Sequence, residues 1–70
     1  MILKYKDNDG NLNWIDDIRH FKKISDDEFV KLELTFQNGD LADYELNVQE
    51  AYICNDSTGS TIDVIKSLVQ

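Results

Sequence analysis

Val30-Lys31-Leu32-Glu33-Leu34-Thr35-Phe36-Gln37-Asn38-Gly39-Asp40-Leu41-Ala42-Asp43-Tyr44-Glu45-Leu46 carries the strongest structural signal in the chain. Val30, Leu32, Leu34 and Phe36 alternate with Lys31, Glu33 and Thr35, the period-2 pattern of a half-buried strand. After the turn, Ala42, Tyr44, Leu46 and Val48 alternate with Asp43, Glu45 and Asn47. A two-residue Asn38-Gly39 turn would set Leu34 opposite Asp43 and place acids on the apolar face. Because a one-residue slip flips every side chain, that register fails. A three-residue loop, Gln37-Asn38-Gly39, with Gly39 in the left-handed position of a type I turn plus bulge, succeeds. It pairs Leu34 with Ala42, Leu32 with Tyr44 and Val30 with Leu46 on one face. The other face pairs Lys31 with Glu45 and sets the like charges of Glu33 and Asp43 opposite each other.

Outward from this hairpin the signals are weaker. Asp9-Gly10 suits a two-residue type I′ turn, which would oppose Tyr5 with Trp14 and Lys6 with Asn13. Trp14, Ile18 and Phe21 sit at helical spacing, yet hairpin pairing demands a strand at Trp14. Residues 14–24 are therefore read as a bent or bulged strand, with a helix as the alternative. Ser25-Asp26-Asp27-Glu28 spells a capping box, but a strand pattern follows it, so the segment is read as an acidic turn. Ala51-Tyr52-Ile53-Cys54 reads as a further strand and residues 55–59 as a loop.

The C-terminus reads as a helix. Ser60 can cap it and Asp63 lies three residues on. Ile62, Val64, Ile65, Leu68 and Val69 fill one face, with Asp63, Lys66, Ser67 and Gln70 on the other. So short a helix must dock on a sheet to persist. The expected fold is thus α+β: one antiparallel sheet of four or five strands, covered on one face by a C-terminal helix.

Seventy residues are expected to form a single domain, 1–70, small enough to be marginal without a staple or a partner. Cys54 is the lone cysteine, so no intrachain disulfide can form, and it suits a reducing compartment. Met1-Ile2-Leu3-Lys4-Tyr5-Lys6 is neither a signal peptide nor a membrane span, which points to a cytoplasmic protein.

Charge is unevenly spread. Residues 1–24 hold five basic side chains against four acids, whereas residues 25–70 hold two against ten, a net of −8. Such asymmetry speaks of partners rather than fold. It favours a cationic partner and argues against direct binding of nucleic acid or anionic membrane. Arg19, Lys22 and Lys23 beside Trp14 are too few to outweigh it.

Other chemistry finds little footing. Asp7-Asn8-Asp9-Gly10-Asn11 opens like an EF-hand loop, but Leu12 and Ile18 stand where that loop needs Gly and a bidentate Glu. His20 and Cys54 lie in no nucleophile motif; Cys54 reads as a small core residue and His20 as a surface one. No glycine opens a phosphate loop. The expectation is a non-enzyme with no cofactor, no metal and no catalytic residue.

That leaves the acids. Asp26, Asp27, Glu28, Glu33, Asp40, Asp43 and Glu45 are the candidate partner-binding residues, on or near the exposed side of the central hairpin. Same-face neighbours along a strand are roughly 6.5–7 Å apart, comparable with phosphate spacing along a nucleic-acid strand. A fixed carboxylate array can therefore imitate a phosphate backbone. In size and charge alone the chain is similar to small acidic phage inhibitors, the anti-restriction and anti-CRISPR proteins. That likeness implies an inhibitor occupying the basic nucleic-acid-binding surface of a larger protein. The alternative is a small self-associating scaffold or interaction domain, a homodimer for instance, using strand pairing or an apolar patch around Trp14 and Tyr5.

Overall fold

The computed structural model describes residues 1–26 and 29–67, the side chain of Asp26 excepted. Its elements are β1 (Ile2–Asp7), β2 (Leu12–Ile15), β3 (Ile18–Asp26), β4 (Val30–Phe36), β5 (Leu41–Leu46), β6 (Val48–Cys54) and β7 (Thr61–Lys66). They form two antiparallel sheets, one of four strands in the order β2-β1-β6-β7 and one of three in the order β3-β4-β5. Among the described residues there is no helix, so the expected α+β fold is corrected to an all-β one.

The correction turns on residues 61–66. Thr61, Ile62, Val64 and Ile65 are β-branched, stiff at χ1 and well suited to a pleated surface. They pair as β7 with β6: Ala51 faces Lys66, Tyr52 faces Val64, Ile53 faces Asp63 and Cys54 faces Thr61. Two register shifts leave Ile65 and Ile62 as extra residues on β7. These bulges set the two isoleucines three apart, which mimics helical spacing in a strand. Ile65 is buried, while Ile62 and Val64 are about half exposed. Leu68, Val69 and Gln70 of the expected helix lie outside the described residues.

The central hairpin has the expected register. Val30 faces Leu46, Lys31 Glu45, Leu32 Tyr44, Glu33 Asp43 and Leu34 Ala42. Val30, Leu32 and Leu34 are buried, Phe36, Ala42, Tyr44 and Leu46 are half-buried, and Lys31, Glu33, Asp43 and Glu45 are exposed. Phe36 N–H donates to Asp40 C=O (2.9 Å) and Gly39 N–H to Phe36 C=O (2.9 Å), closing a three-residue loop in which Gly39 has φ 91°.

The first hairpin departs from expectation by one residue. Lys4, not Tyr5, faces Trp14; Tyr5 faces Asn13 and Lys6 faces Leu12. Asp7 N–H donates to Asn11 C=O (3.0 Å) and Gly10 N–H to Asp7 C=O (3.0 Å), with Gly10 at φ 86°. This is the same three-residue loop as in the second hairpin, not a two-residue turn. The slip turns Tyr5 inward, against the core, and Trp14 outward.

Residues 14–24 are strand, as favoured, but two strands rather than one. Leu3 faces Ile15, and the Met1 carbonyl accepts from Ile18 N–H (3.1 Å). Between those pairs Ile2 alone spans Asp16 and Asp17, and Asp17 takes a left-handed φ of 62°, which Asp tolerates better than most residues. This bulge turns the chain out of the four-stranded sheet into the other. Asn47, between β5 and β6, makes the return corner. Leu3, Ile53, Ala51, Val48 and Ile65 of one sheet thereby meet Ile18, Val30, Leu32 and Leu34 of the other in one core.

Candidate functional site

Each sheet has an inner face in the core and an outer face in solvent, and the two outer faces differ chemically. On the three-stranded sheet, Glu33, Asp43 and Glu45 stand together, as the sequence suggested. Lysines stand among them: Lys22 faces Glu33 from β3 and Lys31 faces Glu45 from β4. His20, exposed, lies on the same face opposite Thr35. The face is mixed in charge rather than a continuous carboxylate array.

The other candidate acids lie away from its centre. Asp40 is at the β4–β5 tip, where Asn38 Nδ2 donates to its Oδ2 (3.0 Å) and its own N–H donates to Asn38 Oδ1 (3.0 Å). With Asp16, Asp17, Phe36, Gln37 and Asn38 it lines an open hollow of about 400 Å³. Asp26 faces Val30 at the opposite end of the sheet, and Asp27 and Glu28 lie outside the described residues. The seven acids are therefore spread over one face and both ends of the sheet as far as they are described.

The outer face of the four-stranded sheet is of another kind. Lys4 faces Trp14 on one side and Tyr52 on the other, and Tyr52 faces Val64. Opposed residues share a face, so Trp14, Lys4, Tyr52 and Val64 form one band across all four strands. Lys6 lies between Leu12 and Glu50 in the next band. Leu12 and Trp14 are each 61% exposed and Val64 50%. Ile2, Lys4, Leu12, Trp14 and Asp16 line a shallow hollow of about 300 Å³. Tyr52 Oη donates to Glu50 Oε1 (2.9 Å). That bond foremost, with partial desolvation, raises the phenol above its ordinary range.

Sequence reasoning missed Leu12, Lys4, Tyr52 and Val64 here. Leu12 and Trp14, alternating with Asn13, were the available signal. The one-residue slip hid it by pairing Trp14 with Tyr5; Tyr5 instead packs against the core, and on the outer face Lys4 stands between Trp14 and Tyr52.

The EF-hand-like segment is spent on its own turn. Asp7 Oδ1 accepts from Asn11 N–H (2.9 Å) and Asp9 N–H (3.0 Å), and Oδ2 from Asn13 Nδ2 (3.3 Å). The Asn11 backbone bond foremost holds the Asp7 carboxyl below its ordinary range. Among the described residues no cluster of His, Cys, Asp or Glu has metal-holding geometry. His20 lies on the outer face of the three-stranded sheet, whereas Cys54 is buried in the other sheet. No helix among the described residues is long and apolar enough to cross a membrane. Compared with known proteins, the chain matches no family model, no curated protein and no solved structure.

Proposed function

We propose that this is a non-enzymatic cytoplasmic binding protein that docks, through the outer face of its four-stranded sheet, on a larger protein. The partner offers an apolar patch rimmed by cationic side chains. The exposure of Leu12, Trp14 and Val64 around Tyr52 on one face is the observation that carries this reading. Isolated exposed apolar residues need no explanation, but here Leu12 with Trp14 on β2 and Tyr52 with Val64 on β6 and β7 make two apolar groups on one face, with Lys4 and Lys6 of β1 between them. Aromatic residues are also those most often found at the energetic centre of such surfaces. The net charge of −7 supplies the complementarity, steering the protein towards a basic rim.

A second reading keeps the acidic inhibitor of a nucleic-acid-binding surface. Its support is the exposed Glu33–Asp43 pair, like charges directly opposite that destabilise the sheet holding them. Lys22 and Lys31 on the same face weigh against it.

Capture from a lysate of the source cell, compared across variants, separates the two. Apolar docking expects capture to be lost with Leu12→Ser/Trp14→Ser and kept with Glu33→Gln/Asp43→Asn/Glu45→Gln. The mimic reading expects the reverse, with release of the captured protein by added duplex DNA and by salt. Equal capture by both variants would overturn both readings.

A further inference from the structure

Of the four sheet edges among the described residues, three carry devices that discourage pairing with another chain. β3 has two register shifts and bears Arg19, Lys22 and Lys23; β7 has two register shifts and bears Asp63 and Lys66; β5 bears Asp43 and Glu45. Charges and bulges of this sort are how natural edges are blunted. β2, Leu12-Asn13-Trp14-Ile15, has neither: it carries no charge and pairs with β1 without a register shift. We infer that β2 is a self-association edge, pairing antiparallel with β2 of a second copy about a two-fold axis.

The backbone bonding supports this directly. Asp7 and Asn11 form a hydrogen-bonded pair at the hairpin end. Bonded and non-bonded pairs alternate along an antiparallel ladder, so Tyr5–Asn13 and Leu3–Ile15 are also bonded pairs. Asn13 and Ile15 thus spend their backbone groups on β1, while Leu12 and Trp14 turn theirs towards the free edge. The same two residues place their side chains on the exposed outer face.

A second copy completes both sets at once in a single register. With the axis through Asn13, Leu12 faces Trp14 of the partner copy and Trp14 faces Leu12, each pair exchanging both of its N–H···O=C bonds. Moving the axis to Trp14 would set Leu12 against Asp16, an apolar residue against a carboxylate. The Asn13-centred register also joins the two outer faces into one continuous eight-stranded surface. The inference therefore deepens the docking reading by doubling its surface, and it uses that same face.

Four residues of strand make a small interface, among the weak ones. Two copies at −7 each repel, so the dimer tightens as salt screens them, opposite to docking on a basic partner. The test is sedimentation equilibrium of the full chain from about 10 μM to about 1 mM at two ionic strengths, a span set for a weak interface. Emission of the sole tryptophan, Trp14, is followed over the same range. Expected are a monomer–dimer equilibrium, a blue shift with concentration, and both strengthening with salt. Leu12→Glu, at an exposed position, is expected to weaken association at least about tenfold by setting a carboxylate in each apolar pair. Asn13→Cys is expected to form an intermolecular disulfide under mild oxidation, because a non-bonded cross-strand pair sits about 4.5 Å apart. Asp63→Cys, on β7, is expected not to.

A monomer throughout with unshifted emission would overturn the inference, as would a dimer untouched by Leu12→Glu or cross-linked equally by both cysteines. A monomer that still captures its partner through the outer face would sink this inference alone. A β2 dimer with no such capture would sink the docking reading alone.

Discussion

The β1–β2 and β4–β5 hairpins share one loop design, yet only the second announces its register. In both, three residues end in a glycine at positive φ, 86° at Gly10 and 91° at Gly39. In both, that glycine's N–H returns to the residue before the loop. The difference lies in the strands. β4 alternates strictly between buried and exposed through Val30–Leu34, so a wrong register puts charge in the core. β1 and β2 have apolar side chains on both faces, with Leu3 and Ile15 inward and Leu12 and Trp14 outward. A slip there looks tolerable on paper. Turn chemistry names a turn; only a one-sided strand names the register.

The comparison can be broken most sharply in the core of the second hairpin. Leu34 is fully buried, so Leu34→Ala is expected to cost about 2–5 kcal/mol in urea unfolding. A loss under about 1 kcal/mol would mean that β4 is not the core strand described. Next come the glycines, where an added Cβ meets nothing within 4 Å, so the penalty is conformational alone. Gly10→Ala and Gly39→Ala are each expected to cost about 1–2 kcal/mol, and to cost the same. Unequal losses would show that the two loops are not equivalent.

Smaller effects sharpen the contrast in charge. Asp43→Asn relieves the opposition to Glu33 and is expected to raise stability by about 0.2–1 kcal/mol, checked by thermal melting. Asp7 is the first hairpin's counterpart, since its carboxylate holds the turn. Its folded pKa lies below the unfolded value, so its contribution is present above the unfolded pKa and lost as pH falls through the folded one. Carboxyl carbon NMR should therefore show Asp7 titrating below 3.8, its ordinary value; a midpoint at or above it would remove the turn's electrostatic support. Smallest of all, Trp14→Ser is expected to change monomer stability by no more than about 0.5 kcal/mol, because the side chain is mostly exposed. A larger loss would place Trp14 in the core rather than on a surface.

What the sequence made legible follows the same logic. The β4–β5 register, the strand at Ala51–Cys54 and the burial of Cys54 could be read because local alternation or apolar runs dictate them. The C-terminal strand could not be read by periodicity, because its two bulges set Ile62 and Ile65 at helical spacing. Its β-branched content was the better guide. The division into two sheets was hidden as well, since it rests on Asp17 adopting a left-handed conformation that few side chains advertise. Of the candidate acids, Glu33, Asp43 and Glu45 shared a face because alternation places them so. Lys31 was legible on that face by the same alternation, whereas Lys22 arrived from β3, whose register with β4 is shifted twice and cannot be counted from the sequence. The outer face of the four-stranded sheet depended on Tyr52 and Val64 meeting Lys4 across long stretches of chain, and no local pattern reports such a meeting.

The pairing of Ile2 with Cys54 and of Lys4 with Tyr52 has a consequence for how the chain reaches this state. β3, β4 and β5 are sequence neighbours, and their meander can nucleate through short loop closures. β1 must wait for β6, which lies beyond the whole β3–β4–β5 meander in sequence, and that closure is entropically dear before any contact rewards it. The four-stranded sheet is therefore expected to be completed last. Until β6 arrives, Leu3 and Tyr5 have no Ala51 and Ile53 to meet, and the nascent β1–β2 hairpin is a bare two-stranded ribbon. During synthesis this exposed ribbon is where a chaperone, or a second growing chain, has its longest opportunity to bind.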